Sequence, residues 1–167
     1  MSHRNGSERK SRERWVSLAV FVLVCLAVEL VAGLLTDLSV RDWYLSLRRP
    51  IWTPPGWVFG PVWTFLYLSM AVAGWLVWQV RSVRYIRPAL ILFGIQLVLN
   101  ALWSGLFFGL RNPMVAFWEI LLLWFVIAVT LTMFWRIRRV SGLLFLPYLI
   151  WVTYATGLNF AIWRLNP

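Results

Sequence analysis

Long apolar runs broken by short polar clusters organise this chain. The runs extend from about Trp15 to Leu35, Trp57 to Val80, Pro88 to Gly109, Pro113 to Trp135 and Gly142 to Trp163. Each reaches the roughly 20 apolar residues that a helix needs to cross a bilayer, so five membrane spans are predicted. The breaks carry helix punctuation. Pro88 suits the first turn of the third helix. Asn112 before Pro113 reads as an N-cap and an N1 proline for the fourth. Pro147 should bend the fifth helix or mark its first turns. Residues 1–14 read as a polar, solvated tail, and 15–167 as one five-helix domain. The break from Asp37 to Pro55 is longer than the usual helix–helix connection of about 2–8 residues. It contains Pro50, Pro54 and Pro55, which stiffen it. Its core, Val40 to Leu47, is expected to form a short interfacial helix with Trp43 and Tyr44 at the headgroup level. Its aromatic residues can cover an apolar opening, so the connector is expected to act as a lid.

Composition points the same way. Hydrophobic residues make up 61% of the 167 and charged residues 13%, against about 45–50% and about 25% in soluble domains. Mean hydropathy is +0.74. The formal charge of +10 suggests nucleic acid only until the bases are located. They flank apolar runs, and no soluble domain carries them on one face. Arginine-rich tail, 81–87 and 136–139 junctions alternate with the nearly neutral 37–55 connector and the lone Arg111. The positive-inside rule then predicts a cytoplasmic N-terminus, an outward C-terminus and residence in the cell membrane. The expected class is an all-α integral membrane protein, a five-transmembrane-helix bundle, N-in/C-out. One cysteine, Cys25, and one histidine, His3, exclude intramolecular disulfides, a His-based triad, the usual zinc sets and bis-His haem. No metal site is expected. Cys25 reads as a small buried hydrophobe.

Several helical faces carry more than lipid requires. Gln96, Asn100, Trp103 and Phe107 share one face of the third span. Trp151, Ala155, Leu158 and Ile162 repeat that spacing in the fifth, with Asn159 adjoining, and Trp63, Tyr67, Met70 and Gly74 do so in the second. Such faces either glue helices together or line a ligand cavity. Thirteen tryptophans exceed an interfacial belt, which accounts for Trp15, Trp43, Trp52, Trp57, Trp78, Trp135 and Trp163. It does not account for Trp63, Trp103, Trp118, Trp124 and Trp151. Glu29 and Glu119 are acids inside spans, functional candidates by default, with hydrogen-bonded packing as the competing reading. Gly105 and Gly109 form G-x-x-x-G, a spacing common by chance that lets another helix approach. The expected partners are membrane lipids, a hydrophobic small molecule and a second copy in a homodimer, with no nucleic acid.

Three stretches carry a resemblance: WYLSLRRPIWTPPGWVFGPVWTFLY from Trp43, QLVLNALWSGLFFG from Gln96, and PYLIWVTYATGLNFAIWRLN from Pro147. Together they closely resemble the TspO/translocator protein family, the tryptophan-rich sensory proteins or peripheral-type benzodiazepine receptors. The likeness covers roughly residues 15–167. It implies five transmembrane helices and a pocket, roofed by the first connector, for porphyrins and flat synthetic ligands. Protoporphyrin IX or a related tetrapyrrole is then the expected ligand, with no other cofactor. Carried over by position, the pocket is Tyr44, Pro54, Phe59, Trp63, Tyr67, Asn100, Trp103, Leu122, Trp151, Ala155 and Leu158. The family's tryptophans proposed to act in light-dependent porphyrin breakdown match Trp63 and Trp151. Phe160 stands where the animal sterol motif has tyrosine, which weakens sterol recognition as an expectation. A receptor or sensor of tetrapyrroles is the leading expectation. Light- and oxygen-dependent degradation is the enzymatic alternative. Transport ranks third, because no repeat and no charged track cross the membrane.

Overall fold

The computed structural model describes residues 2–40, 42–80 and 85–166, with side chains from residue 11 onward except those of 38–40. Arg41, Arg81 and Arg84, and the side chains of the tail bases before residue 11, lie outside the described residues. All regular elements among them are helical, and five helices are long and apolar enough to cross a membrane.

Helix α1 runs from Ser2 to Val40. It begins well before the apolar run, because no proline interrupts the chain before Pro50 and a helix continues through charged sequence where nothing breaks it. Its membrane-crossing portion is Ser11–Asp37. Helix α2 spans Gly56–Trp78 and α3 spans Ile86–Ser104. Helix α4 spans Pro113–Ile137 and α5 spans Arg139–Leu165. The Asn112 side chain accepts a bond from Val115 N at 3.1 Å, and Pro113 stands at N1, as expected. Pro88 lies in the first turn of α3, and Pro147 inside α5. Only Arg138, in extended backbone, separates α4 from α5.

Two elements depart from the expected pattern. The connector holds only a short 3₁₀ turn, Tyr44–Ser46. Its Trp43 and Tyr44 pack inward on Phe107, with ring centroids 5.7 and 6.3 Å apart. At the end of α3 the chain widens into a π turn, Gly105–Gly109. Leu110 N bonds Gly105 O at 2.8 Å, and Asn112 N bonds Leu106 O at 3.2 Å. Gly105 faces Leu35 of α1, 3.7 Å from where its Cβ would be, and a Cβ on Gly109 would meet open space.

Around the bundle the helices follow the order α1, α2, α5, α4, α3. The end near the start of α1 is closed by packing. Phe93 stacks on Phe134 at 5.9 Å, and Phe145 lies 5.3 Å from Phe134 and 5.7 Å from Tyr148. Gly142 makes this closure possible: a Cβ there would lie 2.9 Å from Trp135 Cα. Trp75 Nε1 donates to Arg14 O and Ser17 Oγ, both at 3.2 Å, and so ties α2 to α1 at this end. Cys25 is buried and free, as expected.

At the opposite end the connector is tied to the end of α5. Arg48 N donates to Asn166 Oδ1 at 3.0 Å and Asn166 Nδ2 returns a bond to Arg48 O at 2.9 Å. The Tyr154 hydroxyl donates to Trp52 O at 2.6 Å. These bonds seat the connector over the bundle.

Candidate functional site: a roofed aromatic cavity

Beneath the connector lies a cavity of about 380 Å³, enclosed by α1, α2, α3 with its π turn, and α5. It falls within the range of about 300–1,000 Å³ typical of small-molecule sites. Its walls come largely from the faces that helical spacing singles out, with Phe59 expected from the family resemblance alone. Phe59, Trp63 and Tyr67 face it from α2, Asn100 and Trp103 from α3, and Trp151, Ala155 and Leu158 from α5. Tyr44 and Pro54 contribute the roof. Ten of the eleven expected pocket residues therefore converge.

Leu122 is the exception. It lies on the outward face of α4 and is 53% exposed, and no α4 residue lines the cavity among those described. The buried positions of α4 are Ala116, Glu119, Ile120, Leu123, Val126, Ile127, Thr130 and Phe134, a phase that points Leu122 away from the bundle. Trp118, which a belt left unexplained, shares that outer side at 63% exposure, whereas Trp124 lies on the opposite flank of α4, toward α5. There Trp124 bonds Thr153 Oγ1 at 2.8 Å.

The aromatic walls meet edge to face. Trp63 and Trp151 lie 6.5 Å apart at 87°, and Phe59 meets Trp151 at 5.9 Å and 74°. Trp103 stacks on Phe107 at 5.2 Å and 27°. The π turn places both Phe107 and Phe108 against the cavity. Only Phe107 was on a face that spacing identified, and the π turn itself has no signal in sequence pattern.

Polar and charged groups also line the cavity, Glu29, Asp37 and Arg49 among them, and several of the others are hydrogen-bonded to one another. Tyr67 donates its hydroxyl to Asn100 Oδ1 at 2.5 Å, and Asn100 Nδ2 donates to the Tyr148 hydroxyl at 2.9 Å. This chain fixes the cavity floor across three helices. Trp103 Nε1 donates to Asn159 Oδ1 at 3.0 Å, and Asn159 Nδ2 to Pro113 O at 2.8 Å. Trp103 is thereby held in one orientation. Trp151 Nε1 has no hydrogen-bond partner among the described residues. In the roof, the Arg49 guanidinium lies 5.2 Å from the centre of the Tyr44 ring. Burial pushes the Tyr44 hydroxyl above its ordinary range, with Arg49 opposing the shift, so Tyr44 is neutral and a donor near pH 7.

Gln96, Met70 and Gly74 share helical faces with cavity residues but are buried in packing rather than against the cavity. Glu119 is buried with both oxygens lacking a hydrogen-bond partner among the described residues. Glu29 does line the cavity. No group of three or more metal-ligating side chains occurs among the described residues.

Comparison with known proteins gives the family. The family model described as the TspO/MBR family matches residues 21–164. The "Tryptophan-rich protein TspO" of Chlorobaculum tepidum is 39% identical over 156 residues, covering 91% of this chain and 97% of that protein. "Protein CrtK" of Rhodobacter capsulatus is 35% identical, covering 91% and 96%. The human "Translocator protein" is 36% identical over 127 residues, covering 74% and 75%. With five membrane-spanning helices and these relatives along most of its length, the chain belongs to the TspO/MBR family.

Proposed function

We propose that this protein is a membrane receptor or sensor that binds porphyrins and other flat hydrophobic ring compounds in the roofed cavity. The observation that carries this reading is the convergence of three indoles, Trp63, Trp103 and Trp151, on one cavity whose floor is fixed by Tyr67 and Asn100. Indole faces suit a flat ring, and the unpartnered Trp151 N–H is a donor for one of its polar atoms. Ring faces supply most of the affinity, and the polar groups set orientation. The relatives' names, a sensory protein and a translocator protein, fit a ligand-responsive membrane protein.

Titration of protoporphyrin IX into the purified protein, followed by tryptophan quenching, tests the reading. Saturable quenching is expected, with affinity at least about tenfold weaker in Trp63→Ala and Trp151→Ala. No saturable quenching, or the same curve in both variants, overturns it. If the connector is the lid of this site, ligand should also slow hydrogen exchange across residues 42–53.

The edge-to-face pair of Trp63 and Trp151 favours a second reading. Both indoles stand on the cavity wall, against which a bound porphyrin would lie. In such a breakdown the photoexcited porphyrin is the species oxidised. Dioxygen is the oxidant and supplies the oxygen atoms added to the ring, and the indoles relay electrons with no net change. Illumination should then yield a new absorbing product that is lost in Trp151→Phe while binding persists. Bleaching at the rate seen without protein excludes this chemistry.

A further inference from the structure

Glu29 occupies a stretch of α1 that is otherwise apolar, from Val16 to Leu35 apart from Ser17. It is half-buried, and it lines the cavity with Ala32, Gly33 and Thr36. These positions follow i, i+3, i+4 and i+7, one helical face. Small residues flank the carboxyl, and a Cβ on Gly33 would meet nothing within 4 Å, so the space before it is open. Thr64 of α2 donates its hydroxyl to Glu29 Oε1 at 2.6 Å. That bond fixes the carboxyl while using one of about four acceptor positions. Arg49 is the only base among the described lining residues, and it lies in the roof against Tyr44. An ionisable group inside a membrane span is costly, and a leucine would pack this face at no such cost. The remaining acceptor capacity of Glu29 opens toward the space where a ligand would sit.

We infer that Glu29 is a ligand-recognition residue, accepting a hydrogen bond from a ring N–H, above all a cationic one, on flat compounds seated in the cavity. Thr64 acts as its positioning residue. The inference rests on the ring-binding reading above and adds a chemical preference: among rings of equal shape, the cavity selects those carrying an N–H donor. A cation gains most, because a hydrogen bond between two charged groups in a site of low dielectric is stronger than a neutral one.

Full-length protein in zwitterionic nanodiscs would be titrated with 9-aminoacridinium, with anthracene as its uncharged analogue, and with protoporphyrin IX. The wild type should bind aminoacridinium at least about tenfold more tightly than anthracene. Glu29→Gln should abolish most of that ratio while anthracene affinity changes by less than about twofold. Thr64→Val should lower the ratio by a smaller factor, since the carboxyl remains but loses its anchor. A ratio unchanged in both variants overturns the inference. If Glu29→Gln fails to fold, judged by loss of protoporphyrin binding, an unchanged ratio in Thr64→Val is sufficient to overturn it. Wild-type binding of anthracene and porphyrin with no preference for the cation overturns the inference and leaves ring binding standing. If none of the three binds, ring binding and the inference fall together.

Discussion

The two ends of the bundle are built from similar residues and reach opposite results. Near the start of α1, Phe93, Phe134, Phe145 and Tyr148 lie within about one ring width of each other and leave no room between helices. Under the connector, Trp63, Trp103, Trp151 and Phe107 are as closely paired, yet they stand around an open volume. Ring content does not explain the contrast. At the packed end the rings contact one another in succession and are fully or nearly buried, and Gly74 and Gly142 remove the side chains that would hold helices apart. At the cavity end several of the rings are held by further contacts along the wall and roof. Trp103 is tied to Asn159, the Trp52 carbonyl accepts from Tyr154, and Tyr44 rests on Phe108 at 5.6 Å. Aromatic residues thus fill space or frame it according to where their second contact lies.

The contrast is sharpest under deletion of a ring. Phe145→Ala should cost about 3–5 kcal/mol of stability, whereas Phe59→Ala, which removes a half-buried wall residue, should cost clearly less and mainly weaken ligand binding. Thermal melts in one detergent would compare them, and equal losses would mean that the cavity wall is packed as tightly as the core. Next in size is Gly142→Ala. Its Cβ would meet Trp135 backbone at 2.9 Å, which cannot swing away, so about 1–3 kcal/mol should be lost. The matched Gly60→Ala places a methyl in open space on the cavity wall and should leave the melting temperature nearly unchanged. Tyr67→Phe probes the boundary between the two ends. It leaves Asn100 Oδ1 without its donor and should cost about 1–3 kcal/mol, read in the same melts. The smallest effect belongs to Leu122→Ala, within about 0.5 kcal/mol and without change in porphyrin affinity. A clear loss of binding in that variant would bring α4 into the site.

Much of this was legible in the chain. The five helices follow from run length, and the caps at Asn112 and Pro113 from side-chain chemistry alone. Cavity faces on α2, α3 and α5 were legible because aromatic and amide residues recur at helical spacing, a pattern that lipid does not demand. The start of α1 was not, because hydropathy marks where a helix enters the membrane and not where its hydrogen bonds begin. Leu122 was carried over by resemblance, against a helical phase that Ile120, Leu123 and Ile127 already set toward the interior. The pairing of Thr64 with Glu29 joins single residues on two helices, and no periodicity within either one announces it. Trp43 and Tyr44 were assigned to the headgroup level by composition, which carries no sign of their ring contacts with Phe107 and Phe108.

The π turn has a consequence for which changes the chain can absorb. A turn closed from i to i+5 holds one residue more than the α turn it replaces, so Gly105–Gly109 has the form of a single-codon insertion at the end of a helix. Removing one residue there would restore the regular repeat, and because the wide turn absorbs its extra residue locally the chain beyond would keep its phase, so the change would fall on Phe107 and Phe108 at the cavity wall. Substitutions in this segment act on one side chain at a time, whereas a change of length acts on both cavity-wall phenylalanines at once. The length of these five residues is therefore a heritable property of the site in its own right, separate from their identities.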